Sequence, residues 1–387
     1  MKKIKKLSLV ATLALISTQA FSADTLSEAF AEGKVSGEIK SQYFQKEVSD
    51  KKVSIWTNGG NLSYETGSFY GFNAGVTFQA ATVTADDLDD APTAYNSDQN
   101  VSGAVASQVY LGYATGNTSV KVGRQFISTP LVAGSGSRIF RESFEGVVLA
   151  NTDLPNTTLV AAYVDKYQYR TDVASGGSDV KAVSGFEQVA DGAYTLYVKN
   201  NSVENLTLEA QYAQINEMSS TGDDVKAFYA AAAYNLNPFT IEAQTFQTDN
   251  GEATDSDGKA YAVNLTANFD ALSLGAAYST IDDEGDVVAG LGNGADYLYT
   301  WSDIYGGVYS ADTDAYKLSA GYAVNSDLSL NLIYAAWKTG SDERKSETDY
   351  IANYKFNENL STKFVLATYD NIDTESYRSR LYVSYKF

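Results

Sequence analysis

Two groups of charged residues stand out in this sequence, and neither is arranged to make or break bonds. In the first, Lys40, Lys121, Lys363, Arg378 and Arg380, with Glu38, Glu209 and Glu242, lie in stretches where every second residue is polar. In the second, Arg138, Arg141, Glu142 and Glu145 crowd into AGSGSRIFRESFEG. The 387 residues include no histidine, which removes the commonest general base and metal ligand. They include no cysteine either, so thiol chemistry, disulfides and cysteine-ligated metals are absent. A serine nucleophile would lack its usual base, which argues against an enzyme. Fixed charge can still act without chemistry, because a ring or column of charge in a narrow aqueous passage selects solutes by field and diameter.

Such charges need a scaffold that aims them at water. In VSGEIKSQYF, Val35, Ile39 and Tyr43 alternate with Glu38, Lys40 and Gln42. The segments LTLEAQYAQ, FTIEAQTF, YAVNLTANF, DLSLNLIY and SRLYVSYKF repeat the pattern. Side chains two apart share a face of a strand, so each segment is a strand with one apolar and one polar face. The composition, with 29 Tyr, 17 Phe and only 4 Pro, suits strands. Tight turns, such as Thr115-Gly116-Asn117 and Phe269-Asp270-Ala271, alternate with longer loops rich in Gly, Ser and Asp, such as residues 86–103, 171–191 and 282–312. Short turns on one side and long loops on the other mark an antiparallel meander in a membrane barrel. The segments number about eighteen, with sixteen as the alternative, and both are even as such barrels require. A soluble sheet also has two-faced strands, but charged and amide residues recur here in mid-strand. In hydrocarbon, only closure of the sheet pairs every backbone group. The expected fold is all-β: a transmembrane antiparallel β-barrel.

The first residues, MKKIKKLSLVATLALISTQAFSAD, have a basic start, a short apolar run and small residues, the layout of a cleaved signal peptide over residues 1–22. Residues 23–387 then form one barrel domain. Losing four lysines and no acid leaves 24 basic against 48 acidic residues, a net charge of −24. Nucleic acid and anionic lipid are poor partners for such a chain as a whole. The final Phe387 is expected at the membrane interface, where the last strand pairs with the first.

If the apolar parity faces lipid, the polar parity faces the lumen. Lys40, Lys363, Arg378 and Arg380 belong to the first and the last two strands, neighbours after closure, and would form a basic column on one wall. Lys121 shares the polar parity of its strand with Gly123 and Gln125. Arg124 falls on the apolar parity with Val120 and Val122, so either that strand carries a bulge or Arg124 lies beyond the hydrocarbon. Glu142, Glu145 and Glu209 are expected on the facing wall, giving a transverse field.

The stretch SVKVGRQFISTPLVAGSGSRIFRESFEGVVLANT, residues 119–152, is more specific. A strand ending in V-G-R-Q, a nearby proline, a Gly/Ser segment, an Arg before an apolar pair and S-F-x-G opening a new strand resemble the OprD-type specific porins. They are also similar to the related major outer-membrane porins of epsilon-class proteobacteria. The resemblance implies eighteen strands and an in-folded constriction loop over residues 126–143 carrying Arg138 and Arg141. It also implies a basic ladder that guides carboxylate-bearing solutes, frequent homotrimers, and a terminal aromatic, Phe387 here, that serves as an assembly signal.

Function then divides between two readings. One is an outer-membrane channel for passive diffusion of ions and small hydrophilic solutes, cation-preferring for simple ions, with outer-membrane lipid and lipopolysaccharide around it. The other is an adhesin or structural barrel without conductance. No cofactor is expected. The carboxylate clusters at Asp86-Asp87, Asp89-Asp90, Asp255–Asp257 and Asp282–Asp286 offer oxygens to calcium, but none fits a twelve-residue calcium loop, and solvated loops explain them equally well.

Overall fold

The computed structural model describes residues 23–48, 50–87, 99–170, 181–218, 222–251, 257–295, 298–302, 308–371 and 375–387. A one-and-a-half-turn helix, Leu26–Ala31, precedes the sheet. Its start, T-L-S-E, forms a capping box in which Thr25 and Glu28 satisfy each other's backbone N–H groups. Eighteen strands follow. Strands β1–β4 are Lys34–Val48, Lys51–Glu65, Phe72–Asp87 and Val101–Thr115. Strands β5 and β6, Thr118–Gln125 and Ser143–Asn151, are the shortest. Strands β7–β12 are Thr157–Gln168, Glu187–Asn200, Leu206–Ile215, Val225–Leu236, Phe239–Asp249 and Gly258–Phe269. Strands β13–β18 are Leu272–Ile281, Thr313–Ala323, Leu328–Thr339, Lys345–Lys355, Leu360–Asp370 and Glu375–Lys386.

Each strand pairs antiparallel with the next, and β18 returns to β1 with Tyr385 opposite Ile39 and Leu381 opposite Tyr43. The barrel is closed, so no edge is left to face hydrocarbon. The expected parity governs the two surfaces. Leu265, Leu318 and Leu332 are about half exposed on the outside, whereas the intervening Thr266, Lys317 and Asn331 point inward. Outward aromatics cluster at the short-turn end: Tyr354 with Phe356 (4.8 Å), Tyr385 with Phe387 (6.3 Å) and Phe239 with Phe269 (6.3 Å). Amphipathic rings favour that depth, and short turns lie on the periplasmic side in such barrels.

The seam is tightest at its lower end. Phe387 donates its N–H to the Gly37 carbonyl (3.1 Å) and accepts the Gly37 N–H (2.9 Å). A Cβ on Gly37 would sit 2.5 Å from the Phe387 ring and 2.7 Å from the Asn61 carbonyl. Gly37→Val is therefore expected to lower the yield of heat-modifiable barrel on gels; wild-type yield would show that the ring simply swings aside.

Strands β5 and β6 shape the interior more than any others. They have 8 and 9 residues, against 15 in β4. The chain therefore leaves the wall well below the extracellular rim, inside the barrel. Above the gap, Lys181–Ala182 pairs in parallel with Val101 and Ser102 of β4. The proposed signal segment and Asp89, Asp90 and Asp255 lie outside the described residues.

Candidate functional site

The loop between β5 and β6, residues 126–142, crosses the lumen and is fastened to two sides of it. On one side, the Gln211 side chain of β9 accepts the Leu131 N–H (2.8 Å) and donates to the Thr129 hydroxyl (2.8 Å) and to Thr195 on β8 (2.7 Å). On the other, the Gln79 amide of β3 donates to the Arg141 carbonyl and accepts the Arg141 N–H, both at 2.8 Å. Lys40 of β1 donates to the Arg138 carbonyl (3.2 Å). Lys40, Gln79 and Gln211 are the seventh, eighth and sixth residues of their strands, about 20 Å along the tilted strands from their periplasmic ends at 3.3 Å per residue. The loop thus spans the barrel near half height. Apolar contacts support it, with Ile127 and Val132 packed among Phe144, Tyr167 and Tyr197, and Ile139 and Phe140 against Val101.

A second loop, between β13 and β14, lies on the first. Val132 and Leu291 form a parallel bridge, with Leu291 N–H to Leu131 O (2.8 Å) and Ala133 N–H to Leu291 O (3.0 Å). The sequence here is Gly290-Leu-Gly-Asn-Gly294. Gly290 and Gly292 have φ of 127° and 90°, and a Cβ on either would meet a first-loop carbonyl at 2.4 or 2.3 Å. Glycine is what permits this contact. The far end of the loop is held by Lys317, which donates to the Trp301 carbonyl (3.0 Å), and by a Ser279–Thr300 hydroxyl pair (2.7 Å). Burial, then the nearby carboxylates of Glu242 and Glu209, push the Tyr299 hydroxyl above its ordinary pKa.

Glu142 joins the two loops. Its carboxylate accepts the N–H of Ser135 (2.9 Å), the N–H of Asn293 (3.1 Å) and the Asn293 side-chain amide (2.5 Å). It also pairs with the Arg170 guanidinium at 3.2 Å, at the end of β7. Its side chain is 0 % exposed. Contrary to the expectation from sequence, Glu142 presents no charge to the lumen, because these partners from three segments enclose it.

Glu145 also departs from that expectation, whereas Arg124 keeps the apolar parity read from the sequence. β5 keeps continuous register with β4 and β6, so it carries no bulge, and Arg124 is one residue from its extracellular end. Arg124 and Glu145 pair at 2.8 Å on the outward face, next to lipid-exposed Val122 and Val147. Neither lines the constriction.

The basic column takes shape along the seam. Reading down β18, Arg378 stands opposite Lys46, Arg380 opposite Phe44, Tyr382 beside Lys363, and Ser384 opposite Lys40. Steps of two residues place these levels about 6.6 Å apart. Arg380 is only 2 % exposed and lies over the Phe44 ring at 5.5 Å. Lys40 is offset by Glu38 at 3.5 Å. Lys46, on the parity of Lys40, belongs to the column and was legible in the sequence. Two buried carboxylates, Glu347 and Asp349, occupy inward positions of β16, two strands from Arg378 and Arg380. Lys121 points inward over the Tyr110 ring (4.1 Å), lower on the wall. On the first loop, Arg138 is buried and donates to Ser137 (3.0 Å), whereas half-buried Arg141 covers the Phe126 ring (4.2 Å).

Half the circumference away, Glu209 of β9 pairs with Lys199 (2.9 Å), and Glu242 of β11 accepts from Asn264 (2.6 Å). The acidic wall facing the column is therefore Glu209 and Glu242. The Asp282–Asp286 run is held by Lys259, at 3.7 Å from Asp282 and 2.8 Å from Glu284, and by Ala311 N–H on Asp286 (2.7 Å). No metal-competent cluster occurs among the described residues.

Gln79, Gln211, Arg170 and Asn293 went unrecognised in the sequence. The glutamines are merely inward-parity amides there, and only the Gly-rich run around Asn293 hints at a close backbone approach.

A closed barrel, apolar outside and polar inside, narrowed by its own loops at half height, is an outer-membrane porin. A family model for the OprD outer-membrane porins matches residues 28–326, and the chain belongs to that family. Solved structures share the fold. Acinetobacter baumannii OccAB4 aligns with TM-score 0.75 and 15 % identity over 92 % of this chain and 98 % of that one. A. baumannii OccAB2 aligns with TM-score 0.74 and 16 % identity over 93 % and 99 %. Pseudomonas aeruginosa OccK3 (OpdO) aligns with TM-score 0.73 and 17 % identity over 94 % and 97 %. No curated protein sequence matches the chain. The protein is an outer-membrane channel for passive diffusion of small solutes.

Proposed function

We propose that small hydrophilic solutes pass this barrel beside the two in-folded loops, along the seam wall of β16–β18 and β1. The supporting observation is the asymmetry of the interior. Leu131, Phe246, Val287 and Leu298 pack together and, with the cluster around Phe144, pad the wall from β6 to β13 with apolar side chains. The seam wall carries the basic column. In a narrow, partly desolvated passage, fixed charge acts more strongly than in bulk water. The column guides carboxylate-bearing solutes, while the acidic loops concentrate simple cations at the mouth and give a cation preference for small ions. Neither a catalytic step nor a cofactor is part of this function. Residues 1–22 act as the cleaved signal peptide, the barrel assembles as a homotrimer with Phe387 as its assembly signal, and its membrane neighbours include lipopolysaccharide.

Purified protein in planar bilayers is expected to show stepwise conductance in triplets. A correctly folded sample without conductance would instead favour the structural-barrel reading. Because Arg141 is the more exposed of the two loop arginines, Arg141→Gln is expected to shift the reversal potential in a salt gradient toward cations by more than Arg138→Gln. A larger effect at Arg138 would place the open path on the other side of the loop.

A further inference from the structure

Among the described residues, charged and amide side chains face outward at half height on one side of the barrel only. Counted from the periplasmic ends, Arg124 and Glu145 are the seventh residues of β5 and β6, and Ser41 and Asn58 the eighth of β1 and β2. Glu145 lies 2.8 Å from both Arg124 and Lys166, and Lys166 lies 3.6 Å from Asp165. On the other flank, the Asn58 amide donates to Thr84 (2.6 Å) and the Trp56 indole donates to Ser41 (2.8 Å). Between the two groups, Gly60, Ala80 and Ala104 adjoin across β2, β3 and β4. From β8 to β17, among the described residues, no charged or amide side chain faces outward at this level. Tyr212, Ala230, Val263, Tyr278 and Tyr334 stand there instead.

Lipid explains the apolar side but not this one. A charge on a lipid-facing strand is unfavourable, and pairing within the cluster offsets only part of that, because pairs this exposed contribute little. Another protein surface does explain it: polar side chains bond across protein contacts in membranes, and small residues let a second backbone approach closely. The placement of the two groups specifies the partner. Eighteen strands set neighbours about 20° apart around the axis, so β2 and β5 lie about 60° apart. In a closed three-fold ring each copy meets its two neighbours through different patches, in directions about 60° apart. An isologous dimer would need one self-complementary patch instead. The two groups also complement each other, since the ion cluster offers N–H donors and carboxylate acceptors to the amide and hydroxyls of Asn58, Thr84 and Ser41.

We propose that a second copy of this chain docks on this side, with β1–β3 of one protomer against β5–β7 of the next and the small residues of β2–β4 between them. The proposal rests on the homotrimer reading and names the face that forms the trimer. The chain has no cysteine, so introduced ones report their own position. Membranes holding the full-length variant Asn58→Cys/Val122→Cys are treated with a short bismaleimide. Control membranes hold Leu265→Cys/Leu332→Cys, on β12 and β15, also three strands apart but on the apolar side. Products are read on denaturing gels, heat-modifiable migration confirms the fold, and Ser41→Cys takes the place of Asn58→Cys should that variant fold poorly. The wild-type mass in mild detergent is measured by light scattering. Covalent dimers and trimers, and nothing larger, are expected from the first pair, with monomer alone from the control. A trimeric mass with no cross-links from the first pair, or with equal cross-links from the control, would overturn this face while leaving the homotrimer. Linked chains longer than three would overturn the closed ring. A monomeric wild type would remove the homotrimer itself.

Discussion

Replacing Glu142 by alanine is expected to raise single-channel conductance by about twofold and to make the open level noisy, as the constriction widens and loses its fixed position. Through one side chain, Glu142 ties together both in-folded loops and the end of β7. Its loss takes the carboxylate from the Arg170 guanidinium in a buried site, a change that typically costs 3–5 kcal/mol. It also removes the acceptor from the Ser135 and Asn293 N–H groups, about 1–3 kcal/mol each when buried and unmet. The remaining ties of the loops are hydrogen bonds to Lys40, Gln79, Gln211, Lys317 and Ser279, the backbone bonds between the two loops and apolar packing, none of which replaces a buried carboxylate opposite Arg170. The barrel wall does not depend on Glu142, so heat-modifiable migration on gels is expected to stay normal. Glu142→Gln keeps an acceptor for the N–H groups but loses the charge facing Arg170, and its conductance should fall between wild type and alanine. Wild-type conductance and noise in the alanine variant would mean that apolar packing alone holds the loops.

Neutralising the half-buried part of the basic column, with Lys363, Arg378 and Lys46 all changed to glutamine, is expected to cut the permeation of small monocarboxylates into proteoliposomes by about tenfold, equivalent to roughly 1.4 kcal/mol. Permeation of neutral solutes of the same size is expected to change little. Arg380 is left out because it is covered by Phe44 and neighbours the buried β16 carboxylates, so its removal would disturb the wall as well as the field. An equal loss for charged and neutral solutes would show that the substitutions narrow the passage instead of changing its potential.

The fold was legible because alternation is a local signal that a closed sheet cannot hide. Leu328, Leu330 and Leu332 against Ser329 and Asn331 fix which face meets lipid, and the seam pairing emerges once the last strand is joined to the first. The basic column was legible for the same reason, since parity alone aims Lys40, Lys363, Arg378 and Arg380 inward. The constriction was legible only as a segment. Arg124 and Glu145 sit on the outward parity of the two short strands, where they pair with each other across β5 and β6 at 2.8 Å, a pairing that spacing alone does not show. Glu142 looked like a pore charge because its partners, Arg170 and Asn293, are distant in sequence and meet it only after two loops fold inward. The second loop gave one clue, its run of three alternating glycines, and that clue speaks of close backbone approach without saying to what.

Passage of solutes along the seam wall beside the loops is tested most directly by the reversal potential in a potassium chloride gradient, compared between wild type and the Lys46, Lys363 and Arg378 triple glutamine variant. A cation preference in wild type that becomes distinctly stronger in the variant is the expected result. Identical reversal potentials would place the open path elsewhere and contradict it.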